Sequence, residues 1–384
     1  MKFMLSRALL LAPMLALATP ALASPPATLN DSEQPGSVIV FPKFINMPRL
    51  TVDGIANVAR TEIELGAVCP SGVICAEHTP VKLRLHWVCP GAENVNSNIC
   101  LEQDFVITTL TVNGKVVFAP DGLPINSNSP NTVRPAPCPR GYLIAWVIRP
   151  TDDSPIKYDA LIGNAVIRAP ALSTGNSTGV SAYNAIPIQA NTINAVGEPL
   201  ATPLVFDGGD GHYQQLTSMQ TGDVRFDNPA PGSGLVPNVL SETFLIFLTL
   251  DVRSGLPNNP IFLPLVFYNE NEVPTSIDGY EFTCWDQQQL SNLPGGGSLT
   301  QTVQTTRKGV FIAGPANKVN IGIGDPSAGP STLMAVVETI EGTAVEMYQE
   351  RKYDFGAVTP CLNGCSVEGT VVTTAIVPST TFIP

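Results

Sequence analysis

The sequence predicts a mostly-β protein of two tandem antiparallel β-sandwiches, each of immunoglobulin-like size, with few short helices. Three observations predict it. Runs in which apolar and polar residues alternate recur along the 384-residue chain, as pleated, half-buried strands require. A set of landmarks in the first half returns in order in the second. Eight cysteines follow an N-terminus built for export, so disulfides are available as staples.

The N-terminus comes first. Lys2 and Arg7 give a short positive region, Ala8 to Leu17 an apolar stretch, and Ala21-Leu22-Ala23 a small-x-small cleavage pattern before Ser24. Residues 1–23 therefore predict a Sec-type signal peptide, and a mature protein that is secreted or held in the periplasm or at the cell surface. The apolar stretch is too short to cross a bilayer, and no later run reaches the length a spanning helix needs. Ser24 where a lipoprotein has Cys predicts no lipid anchor.

Residues 24–170 are assigned to the first β-sandwich. In TEIEL, Ile63 and Leu65 face one way and Glu62 and Glu64 the other. In VKLRLHWV, Val81, Leu83, Leu85 and Trp87 alternate with Lys82, Arg84 and His86. Were these two strands paired antiparallel, the glutamates would face Lys82 and Arg84, a cross-strand gain of roughly 0.2–1 kcal/mol per pair. FVITTLTVNGKVVF places Asn113-Gly114 between two strand-like runs, a strong hairpin signal. GYLIAWVI is a further strand, ended by Pro150. YDALIGNAVIRA fits a short helix or a strand.

Residues 171–235, rich in Asn, Thr, Gly and Pro, are assigned to a linker and the opening strands of the second unit. Residues 236–384 form the second β-sandwich. Here TFLIFLTL (Thr243 to Leu250) and IFLPLVF are apolar on both alternations. A strand apolar on both faces is covered on both faces, here by the first unit or by a partner subunit. Pro264 suits an edge or a bulge. The repeat rests on Leu83, Leu85 and Trp87 against Leu263, Leu265 and Phe267. Asp104-Phe105 matches Glu281-Phe282, Thr61 matches Thr243, and LIAWV at Leu143 matches LMAVV at Leu333.

The cysteines fall into local pairs. Proximity in sequence suggests Cys69 with Cys75, Cys89 with Cys100 and Cys361 with Cys365, which leaves Cys138 for Cys284 as a tie between the halves. Zinc is the rival. No C-x-x-C occurs, and Cys361-x-x-x-Cys365 has no matching His or Cys pair beside it.

A net charge of −12 sets the chain against nucleic acid and anionic membranes as partners. Only 14% of residues are charged, but 44% are hydrophobic, with 36 prolines and 32 glycines. That describes a globular, turn-rich protein rather than a disordered one. Catalytic signals are weak. The three histidines, His78, His86 and His212, lie in unrelated segments, there is no G-x-S-x-G, and no catalytic residue is assigned. Asp207-Gly-Gly-Asp210-Gly-His212, with Asp223 nearby, has the acid and glycine density of a calcium loop. Tyr213 stands where the nonapeptide calcium repeat needs an acid, so a glycine-rich turn is the plainer reading and no cofactor other than calcium is entertained. Glu338 and Glu346 flank Glu341-Gly342. A three-residue loop centred on Gly342 would oppose them, as glycoside hydrolysis requires, and a two-residue turn would separate them. Asn176-Ser177-Thr178 is a glycosylation sequon.

The function expected is that of an exported extracellular or envelope protein, non-catalytic, acting by binding or by surface assembly. Its partners would be a second copy, another envelope protein or a surface glycan. A calcium- or carbohydrate-dependent binding module is the alternative, and a secreted glycan hydrolase comes third. In the assembly version, SVIVFPKF and GTVVTTAIV are terminal strands that could complete a neighbour's sheet.

VIVFPKFIN near the mature start, TEIEL before the Cys-containing strand, EQDF, GYLIAWVI followed by KYDALIGNAVIR, and a second β-rich half resemble an uncharacterised family of exported bacterial proteins. The resemblance covers most of the mature chain. It implies a signal peptide and two β-domains, and it brings no activity, cofactor or site residue with it.

Overall fold

Alternation in the sequence becomes alternation in burial. Val81, Leu83, Leu85 and Trp87 are buried, while Lys82, Arg84 and His86 between them are half-buried on the opposite face. A computed structural model gives the fold. It describes residues 34–46, 50–52, 55–57, 60–91, 99–170, 178–190, 204, 206, 213–214, 220–225, 239–250, 260–269, 273–290, 293, 308–313, 317–318, 333–343 and 350–355.

The first half supplies β1 (Val38–Ile45), β2 (Leu50–Val52), β3 (Ile55–Asn57), β4 (Arg60–Ala67), β5 (Pro80–Gly91) and β6 (Cys100–Thr111). It continues with β7 (Lys115–Phe118), β8 (Arg140–Val147), β9 (Leu161–Pro170), β10 (Thr178–Asn184) and β11 (Ile186–Ile188). One sheet has the order β11-β1-β8-β5-β6 and another β10-β9-β4-β7; β2 and β3 form a separate ribbon. Ile39, Phe41, Leu83 and Leu85 from the first sheet share one buried cluster with Ile63, Leu65, Phe118, Ala165 and Ile167 from the second. Trp87 is its centre. Its ring lies 4.9 Å from Phe44, 5.9 Å from Phe105 and 6.1 Å from Phe118, and its Nε1 donates to the Arg134 carbonyl at 2.9 Å. A buried indole needs that acceptor.

The second half supplies β12 (Gln220–Arg225), β13 (Val239–Thr249), β14 (Ile261–Asn269), β15 (Pro274–Phe282) and β16 (Trp285–Gln289). β17 (Lys308–Ala313), β18 (Asn317–Lys318), β19 (Leu333–Thr343) and β20 (Glu350–Phe355) complete it. One sheet reads β12-β17-β14-β15, with β18 also on β14, and the other β16-β13-β19-β20. These orders repeat the first half. β1-β8-β5-β6 corresponds to β12-β17-β14-β15, and β10-β9-β4-β7 to β20-β19-β13-β16. All pairings are antiparallel, and no α-helix occurs among the described residues. The ambiguous YDALIGNAVIRA resolves as strand β9 from Leu161 onward.

Several pairings differ from those expected. β4 and β5 lie in different sheets, so Glu62 and Glu64 do not face Lys82 and Arg84. Glu64 pairs with Lys115 and Glu62 with Arg168, while Lys82 and Arg84 find Asp153 and Asp104. Asn113-Gly114 does make a tight turn, with Asn113 at φ 61° and Gly114 N donating to Thr111 O at 2.8 Å. It carries the chain from one sheet to the other, however, because β7 pairs with β4 and not with β6. Of the repeat landmarks, LIAWV and LMAVV are not counterparts: the first is β8, whose counterpart is β17, and the second is β19. Phe105 and Phe282 lie on counterpart strands at different heights, opposite Leu85 and Ile261. Pro264 marks a bulge on β14, which is an interior strand with β17 and β15 on its two sides.

The cysteines cross-link differently too. Cys69 bonds Cys75, Cys89 bonds Cys138, and Cys100 bonds Cys284, with Cα separations of 5.8, 6.0 and 6.3 Å. The register explains the exchange. Across β5 and β6 the residue opposite Cys100 is Gly91, not Cys89. Cys89 instead adjoins the segment leading into β8, where Cys138 waits. Cys361 and Cys365 lie outside the described residues.

The two-faced strand TFLIFLTL finds both of its covers. Leu245 and Phe247 join a second buried cluster with Leu263, Leu265 and Phe267. Ile246 and Leu248, pointing the other way, join the first half's cluster. At the same junction Trp285 Nε1 donates to the Pro42 carbonyl at 2.9 Å, Tyr142 Oη donates to Thr249 O at 2.6 Å, and Gly91 N donates to Thr283 O at 3.1 Å. The Arg140 guanidinium sits 5.8 Å from the Trp285 ring centre, within cation–π range.

Candidate functional site

A groove of about 580 Å³ lies along the β10-β9-β4-β7 sheet and reaches the corner with the other sheet, where Ile39, Ala185 and Pro187 line it. Its position follows from period two: Ile63 and Leu65 turn inward, so Glu64 and Gly66 turn outward. The register sets Glu64 beside Asn164, and Asn164 beside Asn184, so three short polar side chains cross adjacent strands in one row. Neighbouring strands lie about 4.8 Å apart, which fixes the spacing of that row. One step along, Gly66 stands between Lys115 and Ile162. A Cβ on Gly66 would meet the Ile162 side chain at 3.2 Å, so glycine leaves the floor open. Ile162 is an apolar platform, 42% exposed.

Charge in the groove is balanced. Lys115 Nζ donates to Glu64 Oε2 at 2.9 Å. Asn113 and Gly114 form the end wall and are tied to β4 by Asn113 N donating to Ala67 O at 2.7 Å and Ala67 N donating to Gly114 O at 3.2 Å. The result is a charge-balanced groove in which the amides of Asn113, Asn164 and Asn184 sit beside apolar walls from Val68, Ile162 and Pro187. Amides both donate and accept, as paired hydroxyls on a ligand require. The sequence reading picked out Glu64 as an outward residue but had no signal for Asn164 or Asn184, because their alignment depends on which strands pair.

Two other polar clusters lie among the described residues, and in the first Arg84 Nε and both Glu102 carboxylate oxygens are buried without a hydrogen bond. On β5, Lys82 lies 2.5 Å from Asp153, Arg84 lies 3.6 Å from both Asp104 and Asp153, and His86 Nε2 lies 2.7 Å from Glu102. His86 is thus half-buried against Glu102. A buried network, unforeseen from the sequence, ties β1, β9 and β11 together. Asp159 Oδ1 accepts from Ser37 Oγ and from Ala190 N at 3.0 Å, and Ser37 Oγ accepts from Tyr158 N at 2.7 Å. Burial holds the Asp159 carboxyl above its ordinary range, against the lowering effect of the Ser37 hydrogen bond.

The predicted site residues fare as follows. Asp207, Asp210 and His212 lie outside the described residues. Asp223 is in β12, opposite Val310. Among the described residues no group of three or more His, Cys, Asp or Glu is arranged to hold a metal ion. Glu338 and Glu346 do not flank a turn at Gly342. β19 runs on through Gly342 to Thr343, and the residue opposite Glu338 on β20 is Tyr353. Glu346 lies outside the described residues. The strand SVIVFPKF is β1, held between β11 and β8 in its own sheet. GTVVTTAIV lies outside the described residues.

No family model matches the chain, and no curated protein matches it. Among solved structures, a "putative secreted protein" from Parabacteroides distasonis ATCC 8503 aligns over 78% of this chain and 88% of its own, at 8% identity and a TM-score of 0.18. A likeness at that level carries no argument about fold or function.

Proposed function

We propose that the protein is an exported binding protein, a tandem of two β-sandwiches whose outer groove takes a neutral, polyhydroxylated ligand such as a short glycan. The observation that carries this reading is the row Glu64, Asn164 and Asn184, with its one carboxylate already neutralised by Lys115. Charge balance disfavours an anionic or cationic ligand, and fixed amides suit hydroxyl groups. Export is supported by the three disulfides, which belong to oxidising compartments.

The test is a neutral-glycan panel titrated calorimetrically into the mature protein. Binding of at least one neutral glycan is expected, weakened tenfold or more in Asn164→Ala and in Asn184→Ala. Both side chains are exposed, so the fold should survive. Arg168→Ala, on the same face but outside the groove, should bind as the wild type does. A panel without heat, or binding indifferent to both asparagines, would overturn the reading.

A further inference from the structure

A chain of glutamine amides ends at the groove. Gln214 N donates to the Gln189 carbonyl at 2.9 Å, which sets the two backbones side by side. In return Gln189 N donates to Gln214 Oε1 at 3.3 Å. Gln214 Nε2 donates to Gln189 Oε1 at 3.0 Å, and Gln189 Nε2 donates to Gln34 Oε1 at 3.4 Å. Gln34 lines the groove.

The oxygen and nitrogen of an amide are told apart by their partners. Here the first partner is a backbone N–H, which can only donate. The atom it meets on Gln214 is therefore the oxygen, and the other atom of that amide is the NH2. That NH2 requires an oxygen on Gln189, and the remaining NH2 of Gln189 requires an oxygen on Gln34. One backbone hydrogen orients the whole chain. Gln34 is left with its Nε2 hydrogens, which meet no acceptor among the described residues.

The Gln34 end of the groove is thus a position that donates and does not accept. A hydroxyl is served by an amide in either orientation, but a carbonyl oxygen, which only accepts, is matched by this one. The position lies at the corner between the sheets, because Gln189 directly follows β11. Ile39, Ala185 and Pro187 line the groove there, and Pro187 faces Ile39 across the strands. A donor bordered by an apolar wall matches a carbonyl that carries a methyl group. Such a group has no charge, as the balanced groove requires.

We infer that the groove recognises an acetylated sugar, with Gln34 Nε2 donating to the acetyl carbonyl oxygen and the Pro187 wall taking the methyl. This rests on the glycan reading above and narrows it. Gln189 and Gln214 are positioning residues, since they hold the Gln34 amide with its donors toward the groove.

Matched sugars titrated into the mature protein test it: cellobiose with N,N′-diacetylchitobiose, lactose with N-acetyllactosamine, and cellobiose with an O-acetylated cellobiose. In at least one pair the acetylated member should bind roughly tenfold more tightly or better, the scale of one hydrogen bond. The third pair separates an acetyl group on oxygen from one on nitrogen. Gln34 is exposed, so Gln34→Met and Gln34→Glu should fold. Each should bring the members of that pair to within about twofold of one another. Gln189→Met, which frees the Gln34 amide to turn, should narrow the preference in the same way. Equal binding within every pair, or binding confined to unacetylated sugars, with the dependence on Asn164 and Asn184 intact, would overturn the acetyl assignment and leave the glycan reading standing. A preference that survives in Gln34→Met would overturn it too, because the donor would lie elsewhere. No binding by these sugars or by the wider neutral panel would remove both.

Discussion

A buried carboxyl shows what one residue contributes. Asp159 receives two hydrogen bonds on one oxygen, yet desolvation prevails and its carboxyl titrates above the ordinary carboxylate value. The native state therefore holds its proton to higher pH than the unfolded chain does. The stability this confers is fully present below the ordinary carboxylate value and is lost as pH rises through the raised native value. Asp159→Asn keeps an oxygen acceptor for Ser37 and Ala190 without a charge. Relative to wild type it should gain urea resistance as pH rises from the ordinary carboxylate value to neutrality, with the gap closing on the acid side. A midpoint difference that does not change with pH would show that the charge carries no cost. Buried phenols behave in the same direction: desolvation, then the nearby Glu102 carboxylate, raises the Tyr142 hydroxyl. It stays protonated at any working pH and remains the donor to Thr249.

At the scale of the strand, β8 is an interior element of the first half, held between β1 and β5. Gly141 lies where a Cβ would fall inside the van der Waals envelope of the Val88 carbonyl oxygen. Gly141→Ala should force β5 and β8 apart and cost about 3 kcal/mol, the upper end of overpacking effects. Chemical denaturation of the variant measures it, and a loss below about 1 kcal/mol would mean the strands separate easily. Strands were the part of the fold the sequence showed best. Alternation in VKLRLHWV and TEIEL depends only on residues two apart, and it named the buried faces of β5 and β4 correctly. Which strands pair depends on where the chain changes sheets, and Asn113-Gly114 looks the same as a hairpin turn or as a corner. The misassigned cysteines and the unrecognised Asn164–Asn184 row share that cause. Both need the register, which no local pattern contains. The corner itself recurs in the second half as Thr283-Cys284, with Cys284 at φ 66° beside Asn113's 61°. There a left-handed cysteine replaces asparagine because the corner is buried and bonded to Cys100.

For the whole molecule, the second half's apolar strands show how the two halves are joined. Tandem domains usually meet through modest polar interfaces and unfold separately. Here Ile246, Leu248 and Trp285 are buried in the same cluster as Phe44 and Trp87, so the first half's core is incomplete without the second half. The Cys100–Cys284 bond closes a loop spanning 184 positions, which in the chain-entropy account stabilises by roughly 5 kcal/mol. Neither half can then lose its structure without exposing apolar surface of the other. Calorimetry of the mature protein should give one transition, with equal calorimetric and van't Hoff enthalpies. Trp285→Ala removes the indole that fills the junction and its hydrogen bond to Pro42, at a cost of about 3–5 kcal/mol. Since that loss falls on the coupling between halves, it should split the single transition into two while the disulfide stays intact. Two resolved transitions in the wild-type protein would show that the shared cluster does not couple the halves. A single lowered transition in Trp285→Ala would place the coupling in Ile246, Leu248 and the disulfide rather than in the indole.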